Sequence, residues 1–269
     1  MKLGISSYTY TWSVGVPGSI PPEPWDERKL IDQARELEVD SLQIADNLPL
    51  HAMGKERLFH LKQRAMQSGI EIEVGARGMT PERLMEYIRI TGSLDSSLLR
   101  FVIDQVGFTP SVKEVVRIIK GLVPELRERG IKLALENHER LKATEFKEII
   151  EGVGSEFVGI CLDSVNSMGA GEGTGTVTTL LAPYTFNLHI KEFLVERVPD
   201  MMGFTIRGRP AGEGQLPLEW MLEQLVPQCR SAILEQWTPP EQSLTDTIKK
   251  EQRWAIQSID YLKDNFFTK

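Results

Sequence analysis

The stretch KLALENHER, residues 132–140, is an apolar run that stops abruptly at polar side chains. Residues 133–135 have the character of the inside of a strand, and Glu136, Asn137 and His138 follow directly. A carboxylate, an amide and an imidazole are costly to desolvate at such a position unless they are paired or bind something. The stretch therefore predicts a buried strand that ends at a functional edge.

The same pattern recurs on both sides of this stretch. Short apolar runs alternate with amphipathic segments of helical spacing, which is typical of βα units around a parallel sheet. The eight predicted strands are 3–8, 41–46, 71–76, 98–103, 132–137, 158–163, 185–190 and 232–237. No linker or change of composition divides the chain, so we predict an α/β fold, a single-domain (β/α)₈ TIM barrel over residues 1–269. A doubly wound open sheet is the alternative fold, but no GxGxxG motif follows the first strand.

The composition is that of an ordinary globular protein with an acidic balance. The chain has 269 residues, of which 41% are hydrophobic, and a formal net charge of −7. This charge argues against a surface that binds the phosphates of nucleic acid. No run approaches the roughly 18 apolar residues of a membrane span, and the N-terminus MKLGISSYTY lacks a signal-peptide pattern. We therefore predict a cytoplasmic protein that acts on small molecules, without nucleic-acid or membrane partners, and compatible with a homo-oligomer.

Four consecutive predicted strands end in side chains of the ligand type. They are Glu136, Asp163, His189 and Glu235. The carboxyl ends of barrel strands meet at one mouth, where barrel enzymes have their active sites. Three carboxylates so close would repel one another unless a cation neutralised them. We predict one divalent metal ion, with Mn²⁺ as the first choice and Mg²⁺, Co²⁺ or Zn²⁺ as alternatives. The competing interpretation is that each is a salt-bridged residue of the barrel rim.

The phrases around these residues resemble a known family. LENH, CLDSVN, HIKEF and ILEQW, in this order, and GRPAGEGQLP before the last unit are similar to motifs of the xylose isomerase-like superfamily, the sugar phosphate isomerase/epimerase group. The resemblance implies a barrel in which Glu136, Asp163, His189 and Glu235 bind the metal, while Glu136 and Glu235 also form the proton-transfer pair. It implies a divalent-metal-dependent isomerase or epimerase acting on a sugar, sugar acid or polyol derivative through a metal-stabilised enediolate.

Three positions depart from the epimerase pattern of that family. Three residues after the Asp, where the epimerases often have a His, this chain has Asn166. Six residues after the metal His, where they have a substrate-binding Arg, it has Val195. The family's usual Asp after His-x-Lys is Glu192. The missing arginine must be supplied from elsewhere, and three candidates follow in the sequence: Arg197, Arg207 and Arg209.

Five polar residues are candidates for contact with the substrate. They are Asn166, Lys191, His138, Arg77 and Arg209. A rim ion pair is the competing interpretation for Lys191, and a structural role for Arg77. The departures also leave open a metal-dependent lyase of the same fold, either a keto-acid decarboxylase or a dehydratase in carbohydrate catabolism. In a decarboxylase Arg77 or Arg209 would bind the substrate carboxylate.

Two further function classes fit the sequence poorly. The superfamily includes DNA-repair endonucleases, but these use several histidines for a multi-metal cluster, and this acidic chain has four histidines in total. A non-catalytic sugar-binding barrel would leave the strand-end carboxylates unexplained.

Overall fold

Eight parallel strands close into a barrel in the computed structural model, which describes residues 1–267. The strands of the described chain are β1 (Lys2–Ser6), β2 (Ser41–Ile44), β3 (Glu71–Arg77), β4 (Leu98–Val102), β5 (Lys132–Glu136), β6 (Val158–Asp163), β7 (Thr185–Ile190), β8 (Phe193–Arg197), β9 (Phe204–Gly208) and β10 (Ser231–Leu234). Strands β1 to β7 pair in sequence order, and β10 closes the barrel between β7 and β1. The predicted (β/α)₈ barrel is confirmed, and the open sheet is excluded because its edges would be unpaired.

Helices surround the barrel and connect its strands. In the part of the chain that the structure describes they are α1 (Thr11–Val14), α2 (Glu27–Glu36), α3 (Lys55–Ser68), α4 (Pro81–Ser93), α5 (Val112–Arg129), α6 (Ala143–Val153), α7 (Thr174–Leu181), α8 (Leu218–Gln224) and α9 (Leu244–Asn265). Helix α5 has clear end signals: Ser111 and Glu114 form a capping box, and Gly130 ends the helix in a left-handed conformation. No helix of residues 1–267 is long and apolar enough to cross a membrane.

The apolar core lies between the barrel strands and the helices, and the inside of the barrel is largely polar. Leu133 and Leu135 of β5 belong to the large apolar cluster that the helices cover. Polar side chains of other barrel strands, such as Gln43, Arg100 and Asn187, are buried. Gln43 bonds to Asn187 across the barrel, and Arg100 bonds to Asp46. This alternation follows from the period of two along a strand. It places charged and amide side chains beneath the mouth.

A hairpin that the sequence did not predict rises after β7. Strands β8 and β9 pair antiparallel with each other and not with the barrel. A side chain at Gly208 would overlap the backbone carbonyl of Trp237, so the base of the hairpin lies directly against the loop after β10. The hairpin was missed because its residues are half-exposed and alternate weakly. It extends the wall of the barrel mouth.

Candidate metal and substrate site

The four strand-end residues predicted as ligands come together at the mouth of the barrel. Nδ1 of His189 lies 3.5 Å from Oε2 of Glu136, 3.7 Å from Oδ2 of Asp163 and 3.6 Å from Oε2 of Glu235. All four side chains are buried, with exposed fractions of 0–1%. Strands β5, β6 and β7 supply the first three, and Glu235 directly follows β10. We call these four residues the ligand cluster.

The free atoms of the ligand cluster suit a divalent cation. Oδ2 of Asp163, Oε2 of Glu235 and Nδ1 of His189 are buried and have no hydrogen-bond partner among the described residues. Nζ of Lys191 lies 2.8 Å from the Asp163 oxygen and 2.9 Å from the Glu235 oxygen, but these ion pairs lack the alignment of hydrogen bonds. Oxygen and imidazole atoms that converge without hydrogen-bond partners form a donor set for Mn²⁺, Mg²⁺, Co²⁺ or Zn²⁺.

The remaining carboxylate oxygens fix the orientation of the ligand cluster. Oε1 of Glu235 accepts a hydrogen bond from Oγ of Ser6 at 2.9 Å, and Oε1 of Glu136 accepts one from Nδ2 of Asn166 at 2.8 Å. Oδ1 of Asp163 accepts two backbone N–H groups of the following loop, at 2.9 and 2.8 Å. Each carboxylate is therefore anchored through one oxygen, and its other oxygen turns toward His189.

The charges of the ligand cluster are balanced by neighbouring cations. Burial raises the pKa of Asp163, but Lys191 and His189 outweigh it and hold that pKa below its usual value. Burial also raises the pKa of Glu235, and the same two partners again lower it. Conversely, burial lowers the pKa of His189, but Glu235 and Glu136 outweigh it and raise the pKa. The cluster thus favours ionised carboxylates and attracts positive charge.

A cavity of about 380 Å³ lies next to the ligand cluster. Its volume is in the range of pockets that bind small molecules. Polar and aromatic side chains that line it include Tyr8, Arg77, Arg100, His138, Asn166, Lys191 and Trp237. Two arginines and a lysine lie here beside the carboxylates of Glu136 and Glu235. The cavity can therefore hold a small anionic molecule against the ligand cluster.

Asp46, just after β2, holds the two arginines of this cavity together. Its Oδ1 accepts from Nη1 of Arg100 at 2.7 Å, and its Oδ2 lies 3.1 Å from Nε of Arg77. The same Oδ2 accepts from the hydroxyl of Tyr8 at 3.1 Å. Burial raises the pKa of Asp46, but Arg100 and Arg77 outweigh it and lower the pKa. Arg100, which also pairs with Glu136, is only 2% exposed. We call Asp46, Arg77 and Arg100 the arginine pair with its carboxylate.

Sequence reasoning missed Arg100 and Asp46. Arg100 was included in a predicted strand, 98–103, and Asp46 ended another, 41–46. The available signal was a charged side chain inside an apolar strand run, since an arginine there must find buried partners.

Of the five predicted substrate contacts, four line the cavity and Arg209 does not. Nε2 of His138 lies 3.2 Å from Nη2 of Arg77, and burial lowers the pKa of His138, so its neutral ring can accept from the guanidinium. Nζ of Lys191 lies 3.4 Å from Oδ1 of Asn166. The structure does not bring Arg209 to this cavity: Nη2 of Arg209 lies 3.4 Å from Oε2 of Glu196 on the hairpin. Arg77, not Arg209, is therefore the peripheral arginine of the cavity.

Glu192, which replaces the family's usual Asp, holds the glycine-rich loop 208–217 in place. Its Oε1 accepts from the backbone N–H of Leu216 at 2.8 Å, and its Oε2 accepts from that of Gly212 at 3.1 Å. A side chain at Gly214 would overlap Glu192 and the backbone of Phe193. The Gly-Glu-Gly motif is thus required because the loop passes directly over this carboxylate.

The closed barrel with a convergent ligand cluster defines a class of enzyme. The chain matches the xylose isomerase-like TIM barrel family over residues 31–265, and it belongs to that family. The predicted resemblance is confirmed.

The similar proteins with a named activity include a decarboxylase and an epimerase. The chain is 30% identical over 264 residues to 3-oxo-isoapionate decarboxylase of Pectobacterium atrosepticum, covering 97% of this chain and 95% of the relative. Among solved structures, it is similar to D-psicose 3-epimerase in the presence of D-fructose, with a TM-score of 0.74, 15% identity and coverage of 99% and 100% of the two chains. A xylose isomerase-like barrel protein from Mycobacterium smegmatis in complex with magnesium has a TM-score of 0.67, 16% identity and coverage of 97% of each chain. At these identities the solved structures share the fold with this chain.

Proposed function

We propose that this protein is a divalent-metal-dependent decarboxylase of a 3-oxo sugar acid. The observation that carries the proposal is the arginine pair with its carboxylate, which lines the same cavity as the ligand cluster. A 3-oxo acid has a carboxylate for an arginine and oxygen atoms for a cation. The decarboxylase relative that matches nearly the whole chain supports this reaction over the isomerase or epimerase that the sequence placed first.

The ligand cluster would hold the ion, with Mn²⁺ as the first choice. Glu136, Asp163, His189 and Glu235 supply three carboxylates and an imidazole, and three of their atoms lack partners. When bound, the ion supplies Lewis-acid charge that polarises substrate oxygens.

Decarboxylation of a 3-oxo acid breaks the bond between C1 and C2. The electron pair passes to C2 and the 3-oxo oxygen, carbon dioxide leaves, and C2 takes up one proton from water. Arg77 binds the departing carboxylate, and its partner Asp46 fixes the direction of its guanidinium. Because negative charge leaves the carboxylate as the bond breaks, this contact weakens in the transition state. Arg77 therefore binds and orients the substrate more than it accelerates the chemical step.

Lys191 lies where negative charge develops. Burial lowers the pKa of its ammonium group, but Asp163 and Glu235 outweigh it and raise the pKa. Lys191 therefore stabilises the charge that moves from the carboxylate toward the 3-oxo oxygen, and it keeps its own proton. Asn166, 3.4 Å from Lys191 and anchored to Glu136, is positioned to bind a substrate hydroxyl.

The deciding experiment follows the products in D₂O. The Mn²⁺-loaded protein is incubated with 3-oxo sugar acids, including 3-oxo-isoapionate, and separately with ketoses and polyols. The proposal expects carbon dioxide from a 3-oxo acid and a ketone with one deuterium at the former C2. Deuterium exchange into a ketose without carbon dioxide would instead establish an epimerase or isomerase, and loss of water would establish a dehydratase. Either result would overturn the decarboxylase.

A further inference from the structure

The imidazole of His189 has a buried partner on the side away from the other ligands. Its Nε2 lies 2.8 Å from Oε1 of Gln43, a fully buried residue of β2. Its Nδ1 lies between the oxygens of the three carboxylates. The group that Gln43 presents therefore decides which ring nitrogen carries the proton.

The orientation of the neighbouring amide, Asn187, is set by the backbone. Nδ2 of Asn187 lies 2.8 Å from Oγ and 3.4 Å from the backbone oxygen of Ser231. Because a backbone carbonyl can only accept, Asn187 turns its NH₂ group toward Ser231. Its Oδ1 then faces Gln43, at 3.2 Å from Nε2 of that residue. Sγ of Cys161, 3.1 Å from the same Oδ1, is a second donor to it.

This arrangement fixes Gln43 in turn. Gln43 must direct its amide nitrogen toward Oδ1 of Asn187, and the same nitrogen donates to Oε2 of Glu73 at 3.0 Å. Its oxygen is left for His189. Since that oxygen can only accept, Nε2 of His189 must carry the hydrogen. In the neutral ring Nδ1 then holds a lone pair directed at the carboxylate oxygens, which is the form a metal ion requires.

We propose that Ser231, Asn187 and Gln43 form an amide relay that sets the tautomer of His189, with Gln43 as its positioning residue. The inference rests on the proposed role of His189 as a metal ligand. The relay lies wholly inside the barrel, where Gln43 and Asn187 are 0% exposed. An inverted Gln43 amide would turn its oxygen toward two acceptors, Oε2 of Glu73 and Oδ1 of Asn187, so the inverted state is disfavoured.

The test reads the tautomer and the metal affinity separately. ¹⁵N-histidine NMR of the metal-free protein at alkaline pH, with the His189 signals assigned from their absence in His189→Gln, is expected to show hydrogen on Nε2 in the wild type. Gln43→Met should give a mixture of tautomers. Titration with Mn²⁺ should show a Kd raised by about 10- to 100-fold in Gln43→Met, the usual effect of losing such a support.

Gln67→Met, on the exposed side of α3, is the matched control and should bind Mn²⁺ as the wild type does. If NMR shows the hydrogen on Nδ1 of His189 in the wild type, the relay is overturned, and no variant is needed for this result. An unchanged Mn²⁺ affinity in folded Gln43→Met, with far-UV circular dichroism as the check of folding, also overturns it. Failure of the wild type to bind Mn²⁺ would overturn the proposed metal site, while the tautomer would still be read by NMR.

Discussion

Replacing Arg77 by Met should weaken substrate binding far more than turnover. Met keeps much of the apolar stem and removes the charge. A contact between an arginine and a desolvated carboxylate is worth roughly 2 to 5 kcal/mol. The Arg77 side chain is 37% exposed, so solvent screening places its contribution at the lower end. About 2 kcal/mol corresponds to about a 30-fold rise in KM, with a much smaller change in kcat because the contact weakens as charge leaves the carboxylate.

The assay is the steady-state release of carbon dioxide from a 3-oxo sugar acid at saturating Mn²⁺. Arg209→Met is the matched control, because Arg209 is 34% exposed, pairs with Glu196 and does not line the cavity. Its KM should equal that of the wild type. The reasoning is refuted if Arg77→Met leaves KM unchanged or if Arg209→Met raises KM as much. A loss of kcat alone would move Arg77 from substrate binding to the chemical step.

Three other predictions concern the ligand cluster and one buried carboxyl group. Asp163→Asn should raise the Kd for Mn²⁺ and remove the rise in Tm that the ion gives the wild type, as thermal unfolding with and without Mn²⁺ would reveal; an undiminished Tm rise would exclude Asp163 as a ligand. Glu136→Gln and Glu235→Gln should regain most of their carbon dioxide release at high Mn²⁺ concentration if both residues act as ligands. Activity that stays orders of magnitude low at saturating Mn²⁺ would instead indicate proton transfer. Burial raises the pKa of Glu251 from 4.5 to about 7, above the unfolded value, so the folded chain retains a proton that the unfolded chain releases. The free energy of unfolding should therefore fall between pH 5 and pH 7, and urea titrations should find this slope reduced in Glu251→Gln; equal slopes would contradict the assignment.

The barrel was predictable because its strands and helices have distinct periods. The eight predicted strands coincide with the eight barrel strands, although five of them extend one to three residues beyond the observed ends. Residues 7–8 and 235–237 have strand-like character but lie beyond the end of pairing, where the chain turns across the mouth. The β8–β9 hairpin was missed because it packs on a loop, so neither of its faces has a regular apolar pattern.

The residues of the candidate site that lie at strand ends could be predicted from the sequence, and those inside the strands could not. Glu136 and Asp163 end their strands and His189 is the penultimate residue of β7, so their convergence follows from the fold alone. Gln43 lies inside β2, and its partner His189 is across the barrel on β7. Arg100 lies inside β4, and its partners are Glu136 on the neighbouring strand and Asp46 just after β2. Such contacts depend on the register of the closed barrel, which local sequence does not encode.

The pairing of β1 with β10 links completion of the barrel to completion of the proposed ion site. The hydrogen bond from Ser6 to Glu235 joins positions 229 residues apart, at the pairing that closes the barrel. Contacts between residues so far apart in sequence form slowly, because closing the long loop costs entropy before other native contacts compensate for it. Before β1 and β10 have paired, Glu235 lacks the hydrogen bond from Ser6 that positions it. The proposed ion site is then incomplete. Binding of the ion would therefore require the closed barrel, and the bound ion would in turn stabilise the closed fold.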